Sequence, residues 1–372
     1  MTEASDRRHM ATALALAERG LGNVWPNPAV GCVLVKDGRI VGRGWTQPGG
    51  RPHAEREAIL RAGEAARGST AYVTLEPCAH QGRTPPCADA MIAVGIARTV
   101  IAAVDPDPRV NGRGIARLHA AGIAVEVGCL EAQAQALNAG FFARCCRGRP
   151  LVSLKLATSA DGKIATATGE SQWITGPEAR AEGHRLRLRH DAILVGSGTA
   201  LADDPLLTCR LPGLEARSPV RIVLDRRLRL APSSRLARSA RAFPVWLFTR
   251  RLDTPEAEAL AEAGVRLFPL ASEGEGAGEL REVLATLAGQ GITRVLVEGG
   301  AGIATAFLRE RLVDRLYLFD APLLIGADGR PAVQGLSVRR LVEARRWRRI
   351  EDRLLGPDRL GVLEPAEDEA AT

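Results

Sequence analysis

Lysine is nearly missing from this chain of 372 residues. Only Lys36, Lys155 and Lys163 occur, and arginine supplies the rest of the 50 basic residues. The bias reflects composition rather than function, yet it makes each lysine worth following. Aromatic side chains are scarce too, at 4%, so cores drawn from a 46% hydrophobic fraction must be aliphatic. The sequence is also poor in the stacking rings that grip single-stranded nucleic acid. No apolar run approaches the roughly 20 residues that span a bilayer. The opening segment MTEASDRRHMATALALAERG is an amphipathic helix rather than a secretory signal. A cytoplasmic protein with no membrane partner is expected. Seven cysteines, an odd number, argue against a disulfide framework in a reducing compartment and leave metal binding or burial. The adjacent Cys145 and Cys146 point in different directions from one helix and are read as buried or incidental. A basic arm is missing as well. The net charge of +7 is spread evenly, with 17 basic and 13 acidic residues in 1–148 and 33 and 30 in 149–372. That excludes a concentrated nucleic-acid face and suits small phosphorylated ligands.

What is present is alternation. In the first half, residues 6–20 read as a helix, and AVGCVLVKDGRIVGRGW as a hairpin turning at Asp37-Gly38. HAEREAILRAGEAAR, CADAMIAVGI and GRGIARLHAAG read as helices. TAYVTLE, RTVIAAVD and IAVEVG read as strands, and residues 131–146 as one closing helix. RGRP at 147–150 breaks the pattern, which sets domains at 1–148 and 149–372. Beyond it LVSLKLATS, DAILVGS, VRIVLD, FPVWLFT, VRLFPL, TRVLVEGG and RLYLFDAPLL read as strands with helices between several of them. Both halves are therefore α/β. ASEGEGAGEL and the tail EPAEDEAAT read as solvated, mobile segments.

The most chemical stretch is residues 53–87, with His53-Ala54-Glu55, Pro77-Cys78 and Pro86-Cys87. A catalytic zinc takes three protein ligands and leaves a position for water. His53, Cys78 and Cys87 supply such a set, and thiolates favour zinc over magnesium or calcium. His53 and Cys87 fall at helix starts, where the helix dipole favours thiolate and other anions. Glu55 then lies beside the water and shuttles its proton to a leaving amine. The arrangement matches the zinc deaminase signature H-x-E then P-C-x-x-C, except that here the cysteines are nine apart, with AHQGRTPP between them. A structural zinc would need a fourth ligand, Cys32 or His80, and would leave Glu55 without a purpose.

Together NPAVGCVLV, PHAE and TLEPCAHQGRTPPC resemble the deaminase domain of the bifunctional riboflavin biosynthesis deaminase/reductases. The long spacing with Thr84-Pro85-Pro86 separates these from cytidine and transfer-RNA adenosine deaminases. SADGKIA, SQWIT, DAILVGSGTALADDPLLTCR, VLVEGG and DAPLLIG resemble their reductase domain. The resemblance covers most of residues 6–330. It implies a cytidine-deaminase-like α/β/α sandwich followed by a dihydrofolate-reductase-like α/β domain, with Zn2+ and NADPH as cofactors. The implied reactions are hydrolytic deamination of a 2,5-diamino-6-ribosylamino-pyrimidinone 5′-phosphate and reduction of its ribosyl group to ribityl. Thr46 stands where many members carry histidine, which bears on substrate contacts. Asn27 matches a position beside the substrate ring, where an amide reads a pyrimidinone edge; a turn residue between two prolines is the alternative.

In the second half the resemblance turns a strand, Gly299-Gly300 and a helix into an NADPH pyrophosphate site. Free N–H groups at the helix start suit an anion, although the GxGxxG fingerprint is missing. It further assigns Ala157, Trp173, Thr199 and Asp203 to the cofactor. Ser171, Arg187, Leu207, Arg210 and Glu298 fall to the substrate, and Lys155 holds it or polarises its imine. Lys155 and Asp161 flank the first strand's turn. Arg226 and Arg227 are the candidates for the cofactor's 2′-phosphate. A small phosphorylated pyrimidine is the expected partner, with no nucleic acid, and the protein is expected to be a homo-oligomer, dimer or tetramer. The competing readings are a nucleic-acid or nucleoside deaminase fused to an unrelated domain, and a non-catalytic zinc module.

Overall fold

The computed structural model describes residues 2–81, 85–271 and 277–366. The chain forms two compact units, Met1–Arg149 and Pro150–Thr372. No helix among the described residues is long and apolar enough to cross a membrane.

The first unit runs α1 (Glu3–Ala17), β1 (Gly31–Lys36), β2 (Arg39–Trp45), α2 (Ala54–Ala62), β3 (Thr70–Val73), α3 (Cys87–Val94), β4 (Arg98–Ile101), α4 (Arg113–Ala120), β5 (Ala124–Val127), α5 (Glu131–Leu137) and α6 (Ala139–Arg147). Its five-stranded sheet has the order β2-β1-β3-β4-β5. β1 pairs antiparallel with both neighbours, whereas β3, β4 and β5 are parallel. Asp37 and Gly38 turn the hairpin with φ of 49° and 74°, the left-handed pair that a two-residue hairpin loop requires. α2 lies directly on β2 because the strand carries glycines there. A Cβ on Gly44 would come within 2.1 Å of Ala54 O, and one on Gly42 within 2.3 Å of Ala58 O. The core is aliphatic around β1 and β3, and Tyr72 at 0% exposure is the large ring within it.

The expected closing helix is two helices. Asn138 interrupts it because its side chain is engaged elsewhere: Oδ1 accepts from Ala29 N and Nδ2 donates to Ala29 O, both at 2.9 Å and buried. A buried backbone pair that no strand satisfies thus takes its partners from an asparagine.

The second unit runs β6 (Leu151–Ser159), β7 (Lys163–Ala165), α7 (Pro177–Leu188), β8 (Ala192–Gly196), α8 (Ser197–Asp203), β9 (Val220–Leu224), α9 (Arg235–Arg238), β10 (Val245–Thr249), α10 (Pro255–Glu262), β11 (Arg266–Pro269), α11 (Ala277–Gly289), β12 (Arg294–Val297), α12 (Ala301–Arg309), β13 (Arg315–Ala321), β14 (Arg330–Pro331), β15 (Trp347–Leu355) and β16 (Asp358–Pro365). The nine-stranded sheet is ordered β11-β10-β9-β8-β12-β6-β13-β16-β15. Its first seven strands are parallel, and β16 and β15 close it antiparallel. β8 starts a run that winds toward β11, while β12 joins β6 on the other side. The strand order therefore switches direction between β8 and β12, and ligands of open α/β sheets bind at such a point.

The hairpin β15–β16 is not among the expected strands. β15 is a charged, mostly exposed edge without apolar alternation. Glu364 and Pro365 of the expected mobile tail end β16, and residues 277–280 of the other expected mobile segment open α11. The remainder of both segments, 272–276 and 367–372, lies outside the described residues except for Ala271 and Ala366, and so does Thr84 of the cysteine loop.

Candidate active sites

In the first unit, His53 caps the start of α2, Cys87 opens α3, and Cys78 follows β3 on the loop between them. His53 Nδ1 lies 3.3 Å from Cys87 Sγ and 3.7 Å from Cys78 Sγ. The three donor atoms are all within 4.8 Å of one another. Cys87 N–H donates to Cys78 Sγ at 3.3 Å. A hydrogen bond from the Cys87 side chain holds the Cys78 thiol down to about 4, against the opposing pull of burial. One imidazole nitrogen and two sulfurs converging on one point make a soft donor set of the kind zinc takes with a position left open. Among the described residues neither Cys32 nor His80 joins it. Cys32 is fully buried in the β1 core, while His80 lines the neighbouring cavity.

Glu55, on the first turn of α2, is only 4% exposed, and burial pushes its carboxyl up. It shares with His53 and Cys78 a cavity of about 280 Å³ that Asn27, Thr46, Arg51, Asp105 and Arg144 also line. Thr46 is structural as well: its Oγ1 accepts from Val30 N at 3.0 Å and donates to Pro28 O at 3.1 Å. Asn27 is held by Nδ2 donating to Gly50 O at 3.0 Å. Sequence reasoning missed Arg51, Asp105 and Arg144. Arg51 lies two residues before His53, but the other two come from later segments with no motif of their own. Burial, chiefly, pushes Asp105 up to about 7. Glu76, in the loop after β3, anchors the start of α4 by accepting from Gly112 N, Gly114 N and Ile115 N at 2.8–3.1 Å.

The second unit holds a cavity of about 790 Å³ at the C-terminal ends of β6, β8 and β12, where the strand order switches. Lys155 and Ala157 reach it from β6, Glu298, Gly299 and Gly300 from the end of β12, and Thr199 and Asp203 from α8. Arg187 on α7, Ser171, Trp173 and Arg210 complete the expected set on its wall. Leu207 is not on that wall. It is 4% exposed with φ of 55°, packed into the apolar cluster under β8 and β9.

Arg187 grips Glu298 with two bonds of 2.8 Å, from Nε to Oε1 and from Nη2 to Oε2. Burial alone would raise Glu298, but the Arg187 charge outweighs it and holds the carboxyl at about 2. Lys155 is half-buried beside this pair, and desolvation pulls its ammonium below the ordinary lysine value while Glu298 opposes the shift. The Arg180 guanidinium lies 4.6 Å above the ring of Trp173, which is 65% exposed. Glycines keep the floor open. Gly198 and Gly302 line the cavity, and a Cβ on either would meet nothing within 4 Å. Gly300 N–H donates to Thr199 Oγ1 at 3.0 Å, tying the turn before α12 to α8. This glycine-lined turn at the start of α12 fits a dinucleotide pyrophosphate.

Three of the sequence candidates, Arg226, Arg227 and Asp161, fall elsewhere. Arg226 and Arg227 do not line the cavity, and Arg226 Nε is bound to the buried Glu279 at 2.7 Å. Asp161 closes a local turn, accepting from Ser159 Oγ, Ile325 N and Gly326 N. Asp203 faces the cavity, whereas the adjacent Asp204 accepts from Arg235 N at 2.8 Å. Arg180, His184 and Arg330 line the cavity without having been anticipated. Helical spacing links Arg180 and His184 to Arg187, a signal available in the sequence.

Comparison with known proteins accounts for both halves. The cytidine and deoxycytidylate deaminase zinc-binding region matches residues 3–103, and the RibD C-terminal domain matches residues 150–355. The chain is 44% identical over 364 residues to the riboflavin biosynthesis protein RibD of Escherichia coli (strain K12), covering 95% of this chain and 97% of the relative. It is 42% identical over 353 residues to the RibD of Aquifex aeolicus (strain VF5), covering 95% and 96%. The solved structure of Acinetobacter baumannii RibD superposes with a TM-score of 0.90 at 38% identity, covering 98% of this chain and 100% of that one. The diaminohydroxyphosphoribosylaminopyrimidine deaminase/5-amino-6-(5-phosphoribosylamino)uracil reductase of Thermotoga maritima gives 0.86 at 35%, covering 98% and 99%.

Proposed function

The chain belongs to the RibD family of riboflavin biosynthesis proteins, and from its bifunctional deaminase and reductase activity we propose which residues do each part of the work. The N-terminal deaminase domain binds zinc and the C-terminal reductase domain depends on NADPH. In the first, His53, Cys78 and Cys87 hold the ion, which supplies Lewis acidity toward a water when bound. The Glu55 carboxylate takes a proton from the attacking water and delivers it to the 2-amino nitrogen of 2,5-diamino-6-ribosylamino-4(3H)-pyrimidinone 5′-phosphate. The exocyclic bond between the ring carbon and the amino nitrogen breaks, ammonia leaves, and the ring carbon keeps the water oxygen. Asn27 orients the pyrimidinone edge. The observation that carries this reading is a buried carboxylate sharing one cavity with three converging soft ligands.

In the second domain, Gly299, Gly300, Thr199, Asp203, Ala157 and Trp173 receive NADPH, which supplies the reducing equivalents when bound. Ser171, Arg187, Arg210 and Glu298 bind the ribosyl phosphate. Lys155 polarises the ring-opened imine, whose carbon takes up a hydride and whose nitrogen takes up a proton from water to give 5-amino-6-ribitylamino-uracil 5′-phosphate. The support is their convergence on one cavity at the switch point of the sheet. Leu207, off the cavity wall, contributes packing in the apolar cluster of β8 and β9. The same reading makes the partner a small phosphorylated pyrimidine, not nucleic acid, and the protein a cytoplasmic homo-oligomer. The exposed apolar Leu341, Val342 and Leu354, at 78–88% exposure on and before the edge strand β15, support self-association.

The test pairs metal analysis with Glu55→Gln. Purified protein should carry about one zinc per chain, as a single three-ligand site requires. The variant should keep it while ammonia release falls by about 10²–10⁴-fold. NADPH oxidation on substrate already deaminated should be unchanged. Full ammonia release by the variant would remove Glu55 from the chemistry, and active, metal-free protein would remove zinc.

A further inference from the structure

α7 turns one face to the reductase cavity. Arg180, Gly183, His184 and Arg187 all line it, at the three- and four-residue spacing of a single helical face. Opposite that face runs residues 204–210, which has no regular secondary structure. Three contacts tie this segment to α7. Arg187 Nη1 donates to Thr208 O at 3.0 Å, Cys209 Sγ donates to His184 O at 3.7 Å, and Arg210 N donates to His184 Nδ1 at 3.2 Å.

The last contact matters most, because of what Arg210 is. Its guanidinium lines the cavity and has no hydrogen-bond or ion-pair partner among the described residues. Arg187, by contrast, is already committed to Glu298. Arg210 is therefore a cavity cation free to meet an anion, and its backbone N–H is fixed by one imidazole nitrogen. For that nitrogen to accept, it must carry no proton, which places the ring hydrogen on Nε2. Burial first, then the Arg187 and Arg210 charges, hold the His184 pKa at about 4, and Glu298 opposes them. The acceptor thus persists at neutral pH.

We infer that His184 is a positioning residue of the reductase reaction: through Nδ1 it fixes the backbone of Arg210, so that this unpaired guanidinium meets the anionic part of the substrate. The inference rests on the reading of Arg210 as a substrate-binding cation.

The experiment measures NADPH oxidation by the full-length protein with the deaminated ribosylamino-uracil 5′-phosphate. Arg210→Ala, His184→Ala, His184→Asn and His184→Gln are compared, with thermal stability and NADPH affinity as folding controls. Losing one hydrogen bond that orients a charged group should raise KM about tenfold in His184→Ala, with kcat within about twofold. Asparagine places an amide oxygen near the Nδ1 position and should bring KM back to within about threefold of the parent, whereas glutamine reaches past it and should not. In an Arg210→Ala background, His184→Ala should add no further loss, since both act through one contact. If His184→Ala does not fold, the contrast between asparagine and glutamine decides alone. Parental KM in His184→Ala, with KM raised in Arg210→Ala, overturns the role of His184 and leaves that of Arg210 standing. Parental KM in Arg210→Ala overturns the reading of Arg210 itself. Equal loss of kcat in the alanine and asparagine variants also overturns the positioning role.

Discussion

Glu298 stands between two cations, and removing it should cost more than removing either neighbour. Arg187 and Glu298 are 14% and 11% exposed, and Lys155 is half-buried beside them. Glu298→Gln leaves Arg187 and Lys155 facing each other without a counter-charge. Arg187→Met leaves Lys155 and Glu298, a pair that is still neutral. Breaking a buried pair costs about 3–5 kcal/mol, and the pair's partial exposure places Glu298→Gln near the lower end, at about 3 kcal/mol. Arg187→Met should cost about 1–2 kcal/mol, since Lys155 takes over part of the attraction. For a unit of this size about 3 kcal/mol corresponds to a fall of about 6–12 °C in the thermal transition of the C-terminal half. The deficit should also depend on pH. Without Glu298, Lys155 loses the charge that opposes its downward shift, so its folded pKa falls further below the unfolded value. Between those two values the unfolded chain binds the proton and the folded chain does not, so stability rises with pH. The deficit of Glu298→Gln should therefore shrink between pH 7 and pH 10. Denaturant titrations of the parent, both single variants and the double variant at three pH values supply the data. If Arg187→Met proves the more destabilising single change, or the deficit grows with pH, the charge argument is wrong.

The fully buried His190 has Nδ1 donating to Leu186 O at 2.6 Å and Nε2 accepting from Ser153 Oγ at 2.8 Å, and burial holds its pKa at about 3. The unfolded chain binds the proton from about pH 6.5 downward, so stability is lost as pH falls through that window, by about 1.4 kcal/mol per unit. His190→Gln should shrink the difference in unfolding free energy between pH 7.5 and pH 5 by about 2 kcal/mol, measured by denaturant titration. Gly44→Ala should push α2 off β2, because the new Cβ would lie 2.1 Å from Ala54 O. As α2 carries His53 and Glu55, zinc content measured by mass spectrometry should drop, and unchanged metal content would contradict that coupling. Chelation of zinc should abolish ammonia release while NADPH oxidation on deaminated substrate continues, so a parallel loss of both would contradict the separation of the two chemistries.

Much of the fold was legible because local pattern and burial agree. LVSLKLATS reads as a strand, and β6 spans those same nine residues. Asp37-Gly38 specified its hairpin through backbone conformation alone. The trio His53, Cys78 and Cys87 was legible because few residue types bind zinc and their spacing brackets one strand and two helix starts. Elsewhere the signal was missing. β15 reads WRRIEDRLL, and its charged residues follow from lying at an exposed edge, which removes the alternation that marks a half-buried strand. Asn138 sits in a helical pattern, and only its tertiary partner Ala29 explains the break. Arginine is so abundant that no single one could be chosen by type: Arg226 was read toward the cofactor and instead meets Glu279, while Arg180 and Arg330 line the cavity.

The order of the large sheet also dictates when each half becomes foldable on the ribosome. β6 is the first strand of its unit to be synthesised, yet its two neighbours are β12 and β13, so Leu151 must wait for Arg294 and Ser153 for Arg315. β13 in turn stays uncovered until β16, whose last residue is Pro365, has emerged. Every strand of the small sheet lies within the first 127 residues, so that unit can close while more than half of the polypeptide is still untranslated. A nascent chain stalled just short of β16 should therefore carry a protease-resistant deaminase attached to a reductase that is still digestible.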